Sequence, residues 1–363
     1  MIAFITATAA AAIDSLPTAV TRLAVLYAGV KVAHALYKFG SFCAVYLRPS
    51  QLYRYVYDDA NGNPPWALVT GASDGVGVAF ADQLAAAGLN VVLHGRNKAK
   101  LDGVRKRLAE KHPQRQFRLF VADATRVCHP VLTDVNGDID GDVNASLSID
   151  NLVEAHLGDL HLTVLINNAG GGLPSPTYGS LAETSSTRIV DNMNLNGVFP
   201  LVLTARFLEL LQRRRQQPTS SSSNPALIMN IGSLADIGFP FVTPYAASKV
   251  LIMAATSMAR RELEALGQGG IQMLAVRFGS VTGVSHTKSA PSLLVPDTDT
   301  MARASLARTG SHRDVVIGHL PQALQNLALV PLPAYMLEQI FKGVMMARRT
   351  KEMKEMSEQK KSE

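Results

Sequence analysis

The stretch that most constrains this chain is a glycine-rich turn between a short apolar run and an alanine-rich segment, residues 66–77 (WALVTGASDGVG). The apolar run predicts a strand buried on both faces. Residues 78–87 have the composition of a helix that Gly88 would end. Glycines let the backbone turn sharply, and a helix N-terminus offers free N–H groups to an anion such as a pyrophosphate. The stretch therefore predicts a strand–turn–helix unit that binds a dinucleotide.

The spacing of this turn is Gly-x-x-x-Gly-x-Gly, which differs from the Gly-x-Gly-x-x-Gly of long-chain dehydrogenases. Within it, the residues predicted to contact the cofactor are Gly71, Ser73, Asp74, Gly75, Val76 and Gly77.

Composition narrows the possible partners. Hydrophobic residues make up 47% of the 363 and charged residues 18%, which favours a membrane-associated protein. The net charge of +6 suits an anionic substrate or an anionic lipid surface. The basic residues are too dispersed to indicate nucleic-acid binding, and a single tryptophan gives no aromatic interleaving. Cys43 and Cys128 lie far apart without metal-ligand spacing, so we expect no disulfide and no zinc site.

The N-terminal region contains two apolar segments. Residues 1–13 lack the basic start of a secretory signal and fall short of the ~20 residues that span a bilayer. Residues 23–47 are long enough, but Lys31, His34 and Lys38 fall on one helical face and predict an amphipathic helix. This favours an interfacial or tilted anchor, or a span with that face toward protein. A helix packed on the protein core is the alternative.

The second predicted strand, residues 90–94, indicates the type of cofactor. Sites that bind NAD carry an acidic residue about 20 positions beyond the glycines, where it binds the ribose 2′-hydroxyl. Here Gly95 and Arg96 occupy that place, and no carboxylate follows until Asp102. Arg96 can pair with a 2′-phosphate, which predicts NADP(H). A solvent-exposed arginine without that role is the alternative.

Polar residues follow the next two predicted strands. Residues 117–122 end at Asp123, which we expect either to accept a hydrogen bond from the adenine amino group or to cap a turn. Residues 162–166 run into Asn167 and Asn168, whose amides are predicted to support the neighbouring strand and the cofactor ribose.

An acidic insertion separates these two strands, at residues 134–150. Residues 136–144 match the first nine positions of an EF-hand loop, but Leu147 stands where the bidentate glutamate belongs. We interpret the segment as a surface insertion without a metal site. A serine-rich loop at residues 212–225 is interpreted as exposed and non-functional.

The candidate catalytic residues lie in the second half of the chain. Ser233 follows a predicted strand at residues 226–231, and Tyr245 and Lys249 come twelve and sixteen residues later. Tyr245 and Lys249 share one helical face, and a neighbouring ammonium is expected to lower the phenol pKa from about 10. Together with the Ser233 hydroxyl they predict a general-acid site for reducing a ketone by hydride transfer.

With these motifs in this order over residues 65–284, the sequence resembles the short-chain dehydrogenase/reductase family. The resemblance implies a doubly wound parallel sheet of Rossmann type. It also implies that Tyr245 is the general acid/base, that Ser233 orients the carbonyl, and that Lys249 lowers the tyrosine pKa and binds the ribose. Asn194 would hold a water in the proton relay.

The family's Pro-Gly-x-Val-x-Thr element corresponds here to residues 278–283 (FGSVTG). The resemblance implies a contact between Val281 and the nicotinamide. Phe278 replaces the proline and Gly283 stands at the threonine position, so this part of the site departs from the family pattern.

Within the family, the sequence is similar to the subgroup of microsomal very-long-chain 3-oxoacyl-CoA reductases and 17β-hydroxysteroid dehydrogenases, at residues 66–75 and 88–93 and in the tail. Lys360 and Lys361 resemble a dilysine retrieval signal. The implied activity is NADPH-dependent reduction of a 3-oxoacyl-CoA in fatty acid elongation. A reductase of steroids or of secondary-metabolite ketones is the alternative within enzymes, and a non-catalytic NADP-binding membrane scaffold is the alternative outside them.

These features divide the chain into an anchor and linker (1–64), a catalytic domain (65–290) and a helical C-terminal extension (291–363). We expect two apolar helices within residues 315–346, broken at 331–333. They would form a substrate-covering flap or contact lipid, or alternatively pack on the core or form a homodimer face. The expected location is the endoplasmic reticulum membrane, with the catalytic domain facing the cytosol.

Overall fold

A computed structural model describes residues 18–126, 149–172, 176–215, 224–284 and 289–362. Its strands are β1 (Trp66–Val69), β2 (Asn90–Gly95), β3 (Phe117–Val121), β4 (Leu162–Asn167), β5 (Ala226–Ser233), β6 (Ile271–Phe278) and β7 (Val315–Ile317). Its α-helices are α1 (Thr18–Leu47), α2 (Gly75–Ala86), α3 (Lys98–Lys111), α4 (Ile149–Leu157), α5 (Ser186–Met193), α6 (Phe199–Arg215), α7 (Thr243–Ala265), α8 (Thr298–Leu306), α9 (Leu320–Leu329) and α10 (Ala334–Ser362).

The seven strands form one sheet in the order β3-β2-β1-β4-β5-β6-β7, and every pairing is parallel. The strand order reverses between β1 and β4. Right-handed crossovers then place the helices of the two halves on opposite faces. The ligand crevice of such a sheet lies outside the carboxyl ends of the strands at that reversal. In this fold the ligand crevice is therefore expected at the carboxyl ends of β1 and β4.

Burial explains the continuous apolar runs of the sequence. All residues of β1, β2 and β4 are buried. Helix α2 packs on β1 and β2, whereas α7 packs on β5 and β6. Strands covered on both faces need apolar side chains in both directions, which removes the alternation seen in half-exposed strands.

The predicted doubly wound parallel sheet is confirmed. Residues 315–317, expected to be helical, instead form β7, which pairs with β6 at the sheet edge. A π-turn, Asn194–Val198, separates helices α5 and α6. The helical break at residues 331–333 is confirmed, because α9 ends at Leu329 and α10 starts at Ala334. Cys128, residues 1–13 and nearly all of the acidic insertion lie outside the described residues.

Helix α1 belongs to a unit of its own, Met1–Pro49. Its apolar side chains lie on all sides: Tyr27 shares the face of Lys31, while Val25 and Leu36 lie on other faces. The expected amphipathic separation is therefore absent, because apolar residues also occupy the positions between the charged ones. Among the described residues, no helix combines the length and the apolarity needed to cross a bilayer.

The predicted linker is built into the second unit, Ser50–Glu363. Tyr55 is 1% exposed, and its hydroxyl donates to Gln272 Oε1 on β6 over 2.6 Å. The Thr163 hydroxyl on β4 donates to the Tyr55 carbonyl over 2.7 Å. Burial raises the pKa of Tyr55 to about 12. Residues 50–64 thus cover one end of the sheet.

The buried imidazole of His94 predicts a pH-dependent stability. His94 on β2 is 1% exposed and stacks on Phe199 at 5.0 Å between ring centroids. Burial lowers its pKa to about 4. Since the unfolded chain has a histidine pKa near 6.5, the unfolded state binds more protons between pH 6.5 and pH 4, and stability falls as the pH falls through that window.

We expect the free energy of unfolding to fall by about 2 kcal/mol between pH 7 and pH 5 through this histidine. Urea unfolding followed by the fluorescence of the single tryptophan, Trp66, measures it. In the variant His94→Leu this difference should shrink by the same amount, whereas His34→Gln, on exposed α1, should leave it unchanged. Equal pH dependence in wild type and His94→Leu would contradict the assignment.

Candidate active site

The glycine turn lies where β1 ends at the reversal of the strand order, and its backbone is in contact with the loop after β4. Gly71 has φ +66°, and a side chain there would meet Ala169 Cα at 2.8 Å. A side chain at Gly77 would meet the Gly71 carbonyl oxygen at 2.0 Å. Only glycine fits at these two positions. The first turn of α2 can therefore approach the sheet closely enough to present its N–H groups at the crevice.

The residues around this turn hold it in place. The Thr70 hydroxyl accepts hydrogen bonds from the N–H groups of Asn168 and Ala169, each over 2.9 Å. The Asn168 side-chain amide donates to the Thr70 carbonyl over 3.0 Å. Asp74 caps α2, with Oδ1 accepting from the Gly75 N–H over 2.7 Å. Asn168 thus supports the backbone that follows the neighbouring strand β1, and its contact with the cofactor ribose stays a prediction.

Asn167 supports the neighbouring strand, as predicted, and its contact with the cofactor ribose stays a prediction. It is buried, and its side-chain amide donates to Asn230 Oδ1 over 2.7 Å and to Thr204 Oγ1 over 3.0 Å. Asn167 thus joins the end of β4 to β5 and to α6.

Ser233, Tyr245 and Lys249 converge at the carboxyl end of β5. Ser233 is the last residue of β5, while Tyr245 and Lys249 lie on the first two turns of α7. The Tyr245 hydroxyl is hydrogen-bonded to the Ser233 hydroxyl. Lys249 is 4% exposed, and its ammonium donates to the Ile231 carbonyl over 2.9 Å. It lies 5.8 Å from the centre of the Tyr245 ring.

The pKa of Tyr245 is shifted in the direction opposite to the sequence-based expectation. Burial of its hydroxyl raises the pKa, the hydrogen bond from Ser233 lowers it, and the negative charge of Asp236 raises it further. Lys249 donates to a carbonyl rather than to the phenol, so its charge does not reverse the effect of burial. The phenol therefore keeps its proton at neutral pH, which is the form that can act as an acid.

Asn194 begins the π-turn between α5 and α6, a kind of distortion that is frequent at functional sites. Its side-chain amide donates to the Thr125 carbonyl over 3.0 Å. Asn196, which the sequence analysis did not single out, accepts from the Gly171 N–H over 2.8 Å. A side chain at Gly170 would meet both Asn196 Oδ1 and Lys249 Nζ within 3.0 Å. The second asparagine of the turn thus reaches the loop that borders the lysine.

The residues predicted to select the cofactor lie at the ends of β2 and β3. Arg96 follows β2 and is exposed, and Ser73 lies next to Gly95. Asp123 follows β3, and its Oδ1 accepts from the Thr125 N–H over 2.9 Å and from the Thr125 hydroxyl over 2.8 Å. Asp123 therefore caps a turn, which was the alternative interpretation. Its contact with adenine and the pairing of Arg96 with a phosphate stay predictions.

The segment after β6 borders the same crevice. A cavity of about 580 Å³ is lined by Asp74 of the glycine turn and by Thr282, Gly283 and Asp297. Gly283 has φ +80°, a conformation that disfavours a β-branched threonine and explains the departure from the family pattern. Val281 lies within this segment, half-buried, and its predicted nicotinamide contact stays a prediction.

Gln322 on α9 is a supporting residue that sequence reasoning missed. It is buried, and its Oε1 accepts from the Gly279 N–H over 3.0 Å. Its amide donates to the Ser280 carbonyl over 2.8 Å and to the Leu294 carbonyl over 3.0 Å. No local sequence signal marks a glutamine that acts on a loop about forty residues earlier in the chain.

Comparison with known families agrees with this geometry. The family model described as short chain dehydrogenase matches residues 65–131 and 132–292, which is more than half of the chain. The chain therefore belongs to the short-chain dehydrogenase family, and it is an oxidoreductase.

Two relatives within the family are similar to this chain over most of their length. A very-long-chain 3-oxoacyl-CoA reductase from Schizosaccharomyces pombe is 29% identical over 276 residues, covering 76% of this chain and 72% of the relative. A 17-beta-hydroxysteroid dehydrogenase type 3 from Danio rerio is 29% identical over 279 residues, covering 75% and 78%.

Solved structures agree on the fold. An alcohol dehydrogenase from Comamonas testosteroni specific for bulky-bulky ketones is 25% identical, with a TM-score of 0.53, and covers 78% of this chain and 94% of that one. A short-chain dehydrogenase from Sphingobium yanoikuyae, solved in complex with NADPH, is 24% identical with the same TM-score of 0.53 and covers 78% and 95%.

The crevice fits the dinucleotide that this family implies. The glycine turn has no side chain at Gly71 or Gly77 to fill it, and a helix N-terminus opens onto it. The Lys249 ammonium lies at its base, close to the loop that follows Asn168. These groups could hold a pyrophosphate at the turn and a ribose beside the lysine.

A charge as deeply buried as that of Lys249 should cost stability. Burial lowers the pKa of Lys249 to about 8, and the unfolded value is near 10.5. The unfolded state therefore binds more protons between pH 8 and pH 10.5. The contribution of this lysine to the free energy of unfolding consequently rises with pH in that window.

We expect Lys249→Met to be inactive yet more stable than wild type by about 2 kcal/mol at pH 7, after allowing for the lost hydrogen bond to Ile231. Urea unfolding at pH 7 measures this difference, with Lys351→Met on exposed α10 as the control. A less stable Lys249→Met would show that the ammonium contributes to the fold.

Proposed function

We propose that this protein reduces a ketone to a secondary alcohol with NADPH, and that its substrate is the 3-oxoacyl-CoA intermediate of very-long-chain fatty acid elongation. The observation that carries the proposal is the Tyr245 hydroxyl, hydrogen-bonded to Ser233 with the buried ammonium of Lys249 beside it. A non-catalytic scaffold would have no reason to bury a charged ammonium at this place.

Each catalytic residue has its own role in the proposed reduction. The nicotinamide supplies a hydride when it is bound. The Ser233 Oγ accepts from the Ala235 N–H over 3.1 Å, and its own proton, which it directs at the Tyr245 hydroxyl, would turn to the substrate carbonyl when the ketone binds. Tyr245 is protonated at neutral pH and transfers its phenol proton to the carbonyl oxygen. Hydride and proton together complete the alcohol, and the phenolate left behind is stabilised by the Lys249 charge.

The choice of NADPH over NADH rests on Arg96. The arginine is exposed directly after β2, where NAD-binding sites carry a carboxylate, and it is free to meet a 2′-phosphate. The Sphingobium yanoikuyae enzyme, which shares the fold, was solved with NADPH.

The substrate class rests on the relatives and on charge. The Schizosaccharomyces pombe relative is named a 3-oxoacyl-CoA reductase, and the excess of +6 suits the phosphates of CoA. The Danio rerio relative supports a second candidate, the reduction of a keto-steroid at the same site. Both substrates carry a ketone on an apolar chain or ring system, so the same catalytic residues would serve either.

The activity can be tested by following NADPH consumption by the full chain in membranes, with 3-oxoacyl-CoAs of several lengths and keto-steroids. We expect turnover of long 3-oxoacyl-CoAs with NADPH and little with NADH. In Tyr245→Phe the rate should fall by about 10²–10⁴-fold, because the proton donor is lost. Tyr335→Phe, on exposed α10, is the matched control.

The substrate, the cofactor and the proton donor can each be contradicted by a separate result. Turnover of steroids alone would overturn the acyl-CoA substrate in favour of the second candidate. A preference for NADH would refute the role of Arg96. Full activity in Tyr245→Phe would show that another group donates the proton.

We also propose that the protein lies on the endoplasmic reticulum membrane, with the catalytic domain facing the cytosol. Side chains such as Leu23, Tyr27 and Tyr37 on α1 are 64–72% exposed, and an exposed apolar surface of this kind favours contact with lipid. Lys360 and Lys361 stand at the positions of a dilysine retrieval signal.

Cell fractionation tests this location. The full chain should sediment with endoplasmic reticulum membranes, and replacing Lys360 and Lys361 by serine should shift it to later secretory compartments. A chain that remains in the soluble fraction would refute attachment through α1, whereas an unshifted double variant would refute retrieval through the lysines.

A further inference from the structure

Helix α10 contacts the catalytic domain along one narrow face. The least exposed residues of the helix recur every three or four positions, which places them on a single stripe. The stripe consists of Leu337, Phe341, Met345, Arg349, Glu352 and Met356. Its first three members are apolar, and Met345 is 2% exposed. Two charged residues then occupy positions where packing alone would favour apolar side chains.

Glu352 binds the backbone of a loop. Its Oε1 accepts from the Thr177 N–H over 2.6 Å, and its Oε2 accepts from the Tyr178 N–H over 2.9 Å. One carboxylate thus holds two consecutive amides, with both oxygens engaged. Such charge-assisted hydrogen bonds are stronger than neutral ones. The 176–183 loop is therefore fixed to the helix through its main chain, independently of its side chains.

Arg349 connects that loop to a second one. Its guanidinium donates to both carboxylate oxygens of Glu183, over 2.9 and 3.1 Å. It also lies over the ring of Phe241, 4.9 Å from the ring centre. One turn earlier on the stripe than Met345, Phe341 packs against Phe239 with ring centroids 5.0 Å apart. The helix therefore bridges the 176–183 loop and the 238–242 loop.

Both loops lead directly from the catalytic residues. The first follows Gly170, which borders Lys249, and a side chain at Gly172 would meet Thr177 at 3.5 Å. The second lies between Ser233 and Tyr245 in the chain. Within it Phe241 has φ +67°, a conformation that aromatic residues rarely adopt unless surrounding contacts hold it. The stacked Arg349 is such a contact.

We infer that Arg349 and Glu352 are specificity-determining positioning residues: they hold the two loops that border the catalytic residues at a set separation and so select an extended apolar chain as substrate. The inference rests on the proposed function for its substrate. The aromatic residues of these loops and of the stripe, Tyr178, Phe239, Phe241 and Phe341, would contact such a chain and not a polar one.

The contact itself can be tested without substrate by hydrogen exchange on the full chain in detergent. Glu352→Gln keeps the size of the side chain but replaces one acceptor oxygen by an amide nitrogen. We expect the Thr177 and Tyr178 amides to exchange about tenfold faster in this variant. Glu355→Gln is the matched control, because Glu355 lies on the exposed side of the helix and pairs only distantly with Lys351, at 3.8 Å.

The kinetic test separates substrate selection from general damage. In Glu352→Gln and Arg349→Lys we expect KM for the longest 3-oxoacyl-CoA to rise about tenfold, with kcat for a short one and the Kd for NADPH unchanged. Arg349→Lys keeps the charge but loses the planar guanidinium that lies over the Phe241 ring while donating to Glu183. Glu355→Gln should match wild type in every measurement.

The possible failures are distinguishable. If wild type consumes no NADPH with any ketone, the proposed function fails, while the exchange rates at Thr177 and Tyr178 still decide whether Glu352 holds the loop. If activity is present but kcat and KM change equally for all chain lengths, or if Glu355→Gln behaves like Glu352→Gln, the positioning role is overturned.

Discussion

The site depends on the close contact between two backbone segments at the junction of β1 and β4. The turn at Gly71 and Gly77 can lie against Ala169 only because neither glycine carries a side chain. The Thr70 hydroxyl then ties the two segments together by accepting from two successive N–H groups. This contact brings the N-terminus of α2 to the crevice and aims the loop after β4 toward Lys249. A larger side chain in either segment would separate the cofactor site from the catalytic residues.

The second constraint is the buried charge of Lys249. An ammonium withdrawn from solvent is costly, and here its hydrogen bond to the Ile231 carbonyl offsets part of that cost. Burial also raises the pKa of the neighbouring Tyr245. The two effects leave a protonated phenol beside a cation that burial destabilises. A phenolate formed at Tyr245 would attract the Lys249 ammonium and so stabilise its charge. Stability is thus given up where the proposed chemistry needs an electrostatic partner.

The C-terminal extension connects regions that are distant in the sequence. Gln322 on α9 holds the segment after β6, whereas Arg349 and Glu352 on α10 hold the loops after β4 and β5. In the sequence these residues look like ordinary polar positions of surface helices. Their partners lie 28 to 175 residues away, so no local periodicity or motif could have identified them.

The sequence by itself determined the fold class, the strands around the glycine turn, and the pairing of Tyr245 with Lys249, because these follow from local composition and short spacings. Tertiary structure decided the rest. It joined the Asn167 amide to β5 and α6, and it made residues 315–317 a strand because β6 offered an edge with which to pair. It also set the direction of the Tyr245 pKa shift, which depends on how deeply the packed chain buries the hydroxyl and on where the Lys249 ammonium points.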